Sequence, residues 1–226
     1  MPTKITIKQR KAIWNRHWLP RPRSKRAKAL LVILSITSVC SFLVLVFPYL
    51  PHLSFLFRQP KIDATPYAQA AQQSRQTGGD KPAAPQEQKP TPGNRLILPD
   101  IGVNAQIIEG NNVYVIGKNQ GVWRENRQVD PTKPGNVVLA GHRFLYTASN
   151  GGYFYNLPEL KIGKRIYIRW NDVVYEYEIL NTRTVLPTQI DIRNNDPNVP
   201  YKLTMYTCYP LGSTSKRFVV EAKQIR

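Results

Sequence analysis

The sequence predicts an all-β domain, a barrel or a sandwich, over residues 94–226, preceded by one membrane-crossing helix and a flexible tether. Three observations carry that expectation. Short runs rich in Val, Ile, Tyr and Thr recur at close spacing, separated by Gly, Pro, Asn or Asp. The pair IYIRW and VVYEYEIL flanks Asn171-Asp172 and alternates apolar with polar side chains on its second arm, as a hairpin does. Helical periodicity is weak throughout this region, whereas Ala29–Leu50 runs 22 residues without a charge.

Taken in order, residues 1–28 contain ten Lys and Arg and no acid. They read as a basic cytoplasmic tail. Residues 29–50 are long enough to cross a bilayer, which takes about 20 apolar residues. A cleaved signal peptide would have a shorter apolar stretch and a small-residue cleavage site, so a retained anchor is expected. The basic excess precedes the span, and only Arg58 and Lys61 follow closely. That bias keeps the N-terminus cytoplasmic and puts the rest outside, as a single-pass protein of the cell membrane. Residues 51–93 turn to Gln, Ala, Pro, Lys and Gly with few branched or aromatic side chains, which predicts a juxtamembrane segment and a flexible tether.

Strands are expected at Arg95 to Leu98, Ala105 to Ile108, Val113 to Ile116, Asn136 to Ala140, Arg165 to Trp170, Val173 to Val185, Lys202 to Thr207 and Arg217 to Lys223. A Pro-Asp-Ile-Gly turn separates the first two, and Tyr153 to Leu160 has room for about one turn of helix.

The net charge of +18 invites a nucleic-acid reading, but its distribution excludes one. Residues 1–93 carry 15 basic and 3 acidic side chains, against 17 and 11 in residues 94–226. Most of the excess therefore lies outside the folded domain, where a basic run beside a membrane span holds anionic lipid headgroups. No nucleic-acid partner is expected, because no basic-aromatic pattern marks such a module.

Of the two cysteines, Cys40 lies inside the apolar span and Cys208 ends a strand far from it, so no disulfide framework is available. A lone cysteine is ordinarily a small buried apolar side chain. In an exported domain, an unpaired thiol is instead a candidate reactive group, provided something helps it ionise. Of three histidines, His17 and His52 fall in the tail and at the membrane edge, which leaves His142 in NVVLAGHRF as the partner for Cys208. Arg217 can supply a fixed charge and a fork of donors to a developing oxyanion. Together the three side chains can attack, transfer a proton and stabilise charge.

The domain resembles a sortase, a membrane-anchored cysteine transpeptidase of bacterial surfaces. LPDIGVNAQIIEG looks like that family's opening strands, PGNVVLAGHR like its histidine motif, and LTMYTCYP followed by KRFVV like its cysteine and arginine strands. The resemblance implies an eight-stranded β-barrel, with Cys208 as nucleophile, His142 as general acid and base, and Arg217 positioning substrate and stabilising the oxyanion. Thr207 is expected as a further substrate contact.

The implied partners are exported proteins bearing a C-terminal Leu-Pro-x-Thr-Gly-type sorting signal and an amine acceptor on a peptidoglycan precursor or a pilin. The resemblance implies no cofactor. No metal is expected either, because Glu109, Asp191 and Asp196 are too scattered to hold calcium. The tether has no Asp-Pro-aromatic lid motif, which favours anchoring of surface proteins over pilus assembly. Substrate specificity is expected in the loop from Thr188 to Pro200. A cell-wall cysteine hydrolase using the same pair with water, or a silent anchored β-domain that binds a surface partner, remain the alternatives.

Overall fold

Because side chains alternate across a strand, the apolar positions of each strand decide which face turns inward. The computed structural model describes residues 24–47, 50, 61–76, 93–116, 121–125, 128–143 and 153–226, with the backbone alone for Val113 and Tyr114. Eight strands are formed: β1 (Arg95–Leu98), β2 (Val103–Glu109), β3 (Val122–Arg124), β4 (Gly135–Ala140), β5 (Arg165–Trp170), β6 (Val173–Val185), β7 (Tyr201–Tyr209) and β8 (Lys216–Gln224). They close into a barrel in the order β1-β2-β3-β4-β7-β8-β6-β5, as the all-β expectation required. The β2–β3 and β4–β7 pairs are parallel and the others antiparallel.

The core is the inward set of alternating residues, among them Leu96, Val137, Leu139, Leu203, Met205 and Val220, with Phe154 and Leu157 packed among them. The hairpin of β5 and β6 has the bounds read from the sequence. Asn171 (φ 49°) and Asp172 (φ 65°) both take the left-handed conformation that a two-residue hairpin turn needs. After β1, Pro99–Ile101 makes a short 3-10 turn that ends at Gly102 (φ 65°).

Two elements differ from expectation. Val113–Ile116 is a 3-10 turn and not a strand. Ile116 is buried in a cluster with Trp123 and Ala140, so this apolar run plugs a gap beside the barrel instead of pairing. The eighth strand is β3, whose three residues are too few to show periodicity.

The segment expected to be a flexible tether contains a helix. Here α1 is Lys25–Val46 and α2 is Thr65–Gln76. Ala70 and Ala71 of α2 are buried against Ile97, Tyr167 and Val174 on the outer face of β1, β5 and β6. Tyr67 stacks on Tyr167 with ring centroids 5.9 Å apart. Arg75 pairs with Glu176 at 2.9 Å, and Ile62 N donates to Pro99 O at 3.1 Å. Composition misled because a close helix–sheet seam needs only small side chains on the helix, while the strands supply the apolar bulk. The rest of the tether and residues 1–23 of the basic tail fall outside the described residues.

The chain divides into two units, Met1–Pro48 and Tyr49–Arg226. In the first, α1 starts at Ser24, whose side chain accepts from Ala27 N at 3.2 Å and caps the helix. At about 1.5 Å per residue its 22 residues match the roughly 30 Å of a hydrocarbon core, and none of them is buried.

Candidate active site

Strand register places two of the three side chains singled out from the sequence, and a side-chain bond ties in the segment that carries the third. In the antiparallel pair β7–β8, Cys208 lies directly opposite Arg217. In the parallel pair β4–β7 the register runs without a break from Gly135 opposite Tyr201 to Ala140 opposite Tyr206. Two contacts carry it onward: Gly141 N donates to Tyr206 O at 3.3 Å, and Thr207 Oγ1 donates to Gly141 O at 2.8 Å. His142 follows Gly141 directly, one residue beyond the last contact with β7.

Cys208 and Arg217 also share a face. Leu203 and Met205, Val220 and Ala222, and Val137 and Leu139 point into the core. Alternation then turns Cys208 and Arg217 outward, and both of them and His142 are half-buried.

Burial lowers the His142 pKa below the ordinary imidazole value, so the ring is neutral at neutral pH and able to accept a proton. The Arg217 guanidinium is held at the β7–β8 turn, where Nη1 donates to the carbonyls of Thr214 and Lys216, each at 2.9 Å. A thiol paired in register with an arginine can, with a neutral imidazole in reach, perform nucleophilic chemistry on a carbonyl.

Thr207, read from sequence as a substrate contact, is 2% exposed. It lies on the inward face, and its hydroxyl is committed to Gly141 O. It ties the Cys208 strand to the His142 segment.

The β6–β7 connection lies against this same outer face. Ile192, in the 3-10 turn Ile190–Arg193, packs with Val185, Val219 and Tyr206. Two residues that sequence reasoning missed hold it there. Asn136, fully buried in β4, donates from its side chain to Ile192 O at 3.0 Å and Asn194 O at 3.1 Å, while its backbone N donates to Asn195 Oδ1 at 2.9 Å. Glu125 pairs with Arg193 at 2.8 Å and accepts from the Tyr206 hydroxyl at 3.0 Å. A polar residue inside the apolar run NVVLA was the available signal for Asn136. Glu125 gave none, because only the fold brings it beside residue 193. The three acids weighed for calcium are separately engaged: Glu109 with Arg124, Asp191 with Arg183 at 3.8 Å, and Asp196 with Asn198 N at 2.9 Å.

Comparison with known proteins identifies the family of the domain. The family described as Sortase domain matches residues 96–225. Sortase A of Listeria monocytogenes is 26% identical over 124 residues, covering 55% of this chain and 52% of that protein. Sortase A of Bacillus anthracis is 25% identical over 126 residues, covering 56% of each. The matched region thus spans about half the length of these relatives. Among solved structures, sortase A of Corynebacterium diphtheriae superposes with a TM-score of 0.53 at 23% identity, covering 74% of each chain. A sortase D5 transpeptidase of Clostridium perfringens gives 0.51 at 23% identity, covering 69% of this chain and 88% of that one. At such identities the structural likeness shows a common fold.

Proposed function

Because the chain belongs to the sortase family, we propose that it is a cysteine transpeptidase in which Cys208 is the nucleophile, His142 the general acid and base, and Arg217 the oxyanion-stabilising and substrate-positioning group. The observation that supports this reading is the β7–β8 register, which sets Cys208 directly opposite Arg217, with the segment leading to His142 tied to the cysteine strand through Thr207 and Gly141.

The substrate is an exported protein with a C-terminal sorting signal of the Leu-Pro-x-Thr-Gly type. His142 takes the thiol proton, and the Cys208 thiolate attacks the Thr carbonyl carbon. Arg217, whose guanidinium cannot deprotonate, stabilises the negative oxygen of the tetrahedral intermediate. His142 then gives its proton to the glycine nitrogen, the Thr–Gly bond breaks, and Thr remains bound to sulfur as a thioester. An amine on a peptidoglycan precursor or a pilin attacks that thioester and passes a proton to His142. Collapse forms the new amide and returns the proton to Cys208. An imidazole titrating below neutrality suits both directions of transfer.

The lack of an Asp-Pro-aromatic motif in the tether favours the attachment of surface proteins to the wall. The helix Lys25–Val46 would anchor the enzyme, with its basic N-terminus in the cytoplasm and the barrel outside.

The test is product partition. With a sorting-signal peptide and triglycine, a transpeptidase gives the Thr-linked amide. Formation of the free acid alone, undiminished by added amine, would identify a hydrolase instead.

A further inference from the structure

His142 lies past the end of its strand. The β4–β7 ladder stops at Ala140 opposite Tyr206; beyond it, Gly141 N donates to Tyr206 O at 3.3 Å and Thr207 Oγ1 donates to Gly141 O at 2.8 Å. Displacements of about 1 Å in a reacting geometry cost on the order of a hundredfold in rate, so a His142 that acts as acid and base requires something to hold the chain firmly at that point.

The residue that follows it does so. Arg143 Nε donates to Tyr155 O at 3.0 Å, and its guanidinium lies over the Tyr209 ring, 5.3 Å from the centroid. Tyr209 in turn packs on Phe218, with centroids 5.9 Å apart and planes inclined by 40°. Phe218 rests on the main core. Arg143, Tyr209 and Phe218 each come one residue after a member of the proposed triad, His142, Cys208 and Arg217. With successive side chains on opposite faces, the triad lies on one side of the three chain segments and this cation-aromatic stack on the other.

An arginine suits the position as no other side chain does. It makes a directed N–H bond to a carbonyl while its planar group lies flat on a ring, whereas a lysine ammonium offers a point charge without the rigid fork.

We infer that Arg143 is a positioning residue for the transpeptidation: clamped between the Tyr155 carbonyl and the Tyr209 ring, it fixes the backbone beyond β4 so that the His142 imidazole stays beside the Cys208 thiol. The inference rests on the assignment of His142 and Cys208 made above. It predicts a loss in turnover without loss of substrate affinity, because the contacts of Arg143 are with the Tyr155 carbonyl and the Tyr209 ring.

The experiment compares Arg143→Met, which keeps length and apolar contact with Tyr209, with the parent, using full chain in detergent micelles, a Leu-Pro-x-Thr-Gly peptide and triglycine. Expected are a 10- to 100-fold fall in kcat, KM within about twofold of the parent, and an upward move of the His142 titration, followed by NMR, as the freed ring becomes hydrated. Arg143→Lys should recover only part of the rate. In a Cys40→Ala background, the alkylation rate of Cys208 by iodoacetamide gives a readout independent of peptide, and it should change in Arg143→Met in the same direction as in His142→Gln. Should Arg143→Met fail to fold, Tyr209→Leu, which removes the ring beneath the guanidinium, carries the same comparison. Unchanged kcat and an unmoved His142 titration, in a protein that His142→Gln inactivates, would overturn the inference. Full activity of His142→Gln would instead overturn the assignment on which it rests.

Discussion

The seam between α2 and the barrel can be tested by a thermodynamic cycle on Ile97. This side chain is 1% exposed and buried by Ala70, Ala71, Tyr167 and Val174, so it is covered by the helix and not by the barrel core. Truncating a buried Ile to Ala costs about 2–5 kcal/mol, the sum of lost transfer free energy and a residual cavity. In a chain of residues 61–226, Ile97→Ala should therefore destabilise by about 3 kcal/mol. In a chain of residues 94–226 the helix is gone, Ile97 faces water, and both contributions vanish. There the same substitution should cost under about 1 kcal/mol. The difference, about 2 kcal/mol, measures the cover that α2 provides. Urea titration followed by the fluorescence of Trp123 and Trp170, buried at 8% and 7% exposure, reads it directly. An equal cost in both chains would show that the helix does not cover Ile97, and would return residues 61–76 to the status of a tether.

Two further outcomes follow from the site's surroundings. Gly141 carries no Cβ because one there would lie 2.5 Å from the Phe154 ring; Gly141→Ala should destabilise by about 1–3 kcal/mol and lower peptide turnover by displacing His142, as thermal unfolding and kinetics would show. Glu221 accepts from Lys202 at 2.7 Å and from Arg183 at 3.3 Å. Although burial opposes the charge, these cations hold its carboxyl below the ordinary value. A depressed folded-state pKa gives stability that is present above the ordinary carboxylate range and lost as pH falls through the folded value. Urea midpoints of the parent should thus drop more steeply below about pH 4.5 than those of Glu221→Gln, and parallel pH curves would refute the linkage.

Much of the barrel was legible because its long strands obey simple rules. The β5–β6 hairpin was bounded correctly, since alternation over many residues and a two-residue Asn-Asp turn leave little freedom. What failed was short or held by distant partners. VYVI reads as a strand by composition, yet packing over Trp123 folds it as a 3-10 turn, while β3 has three residues and no period to detect. The helix α2 was hidden because the side chains that bury it belong to β1, β5 and β6. At the site, the residue types of Cys208, His142 and Arg217 were readable, and register accounts for the pairing of Cys208 with Arg217. Thr207, Asn136 and Glu125 act through backbone carbonyls and loops far away in sequence, which no local pattern encodes.

The assignment of Cys208 as nucleophile is tested most directly by trapping the acyl-enzyme. Full chain in detergent, mixed with a sorting-signal peptide without added amine and quenched in acid, should gain the mass of the peptide fragment ending in Thr. Peptide mapping should place that fragment on Cys208, hydroxylamine should release it, and Cys208→Ala should abolish it while Cys40→Ala leaves it intact. An adduct that survives Cys208→Ala, or peptide cleavage that continues in that variant, would contradict the account.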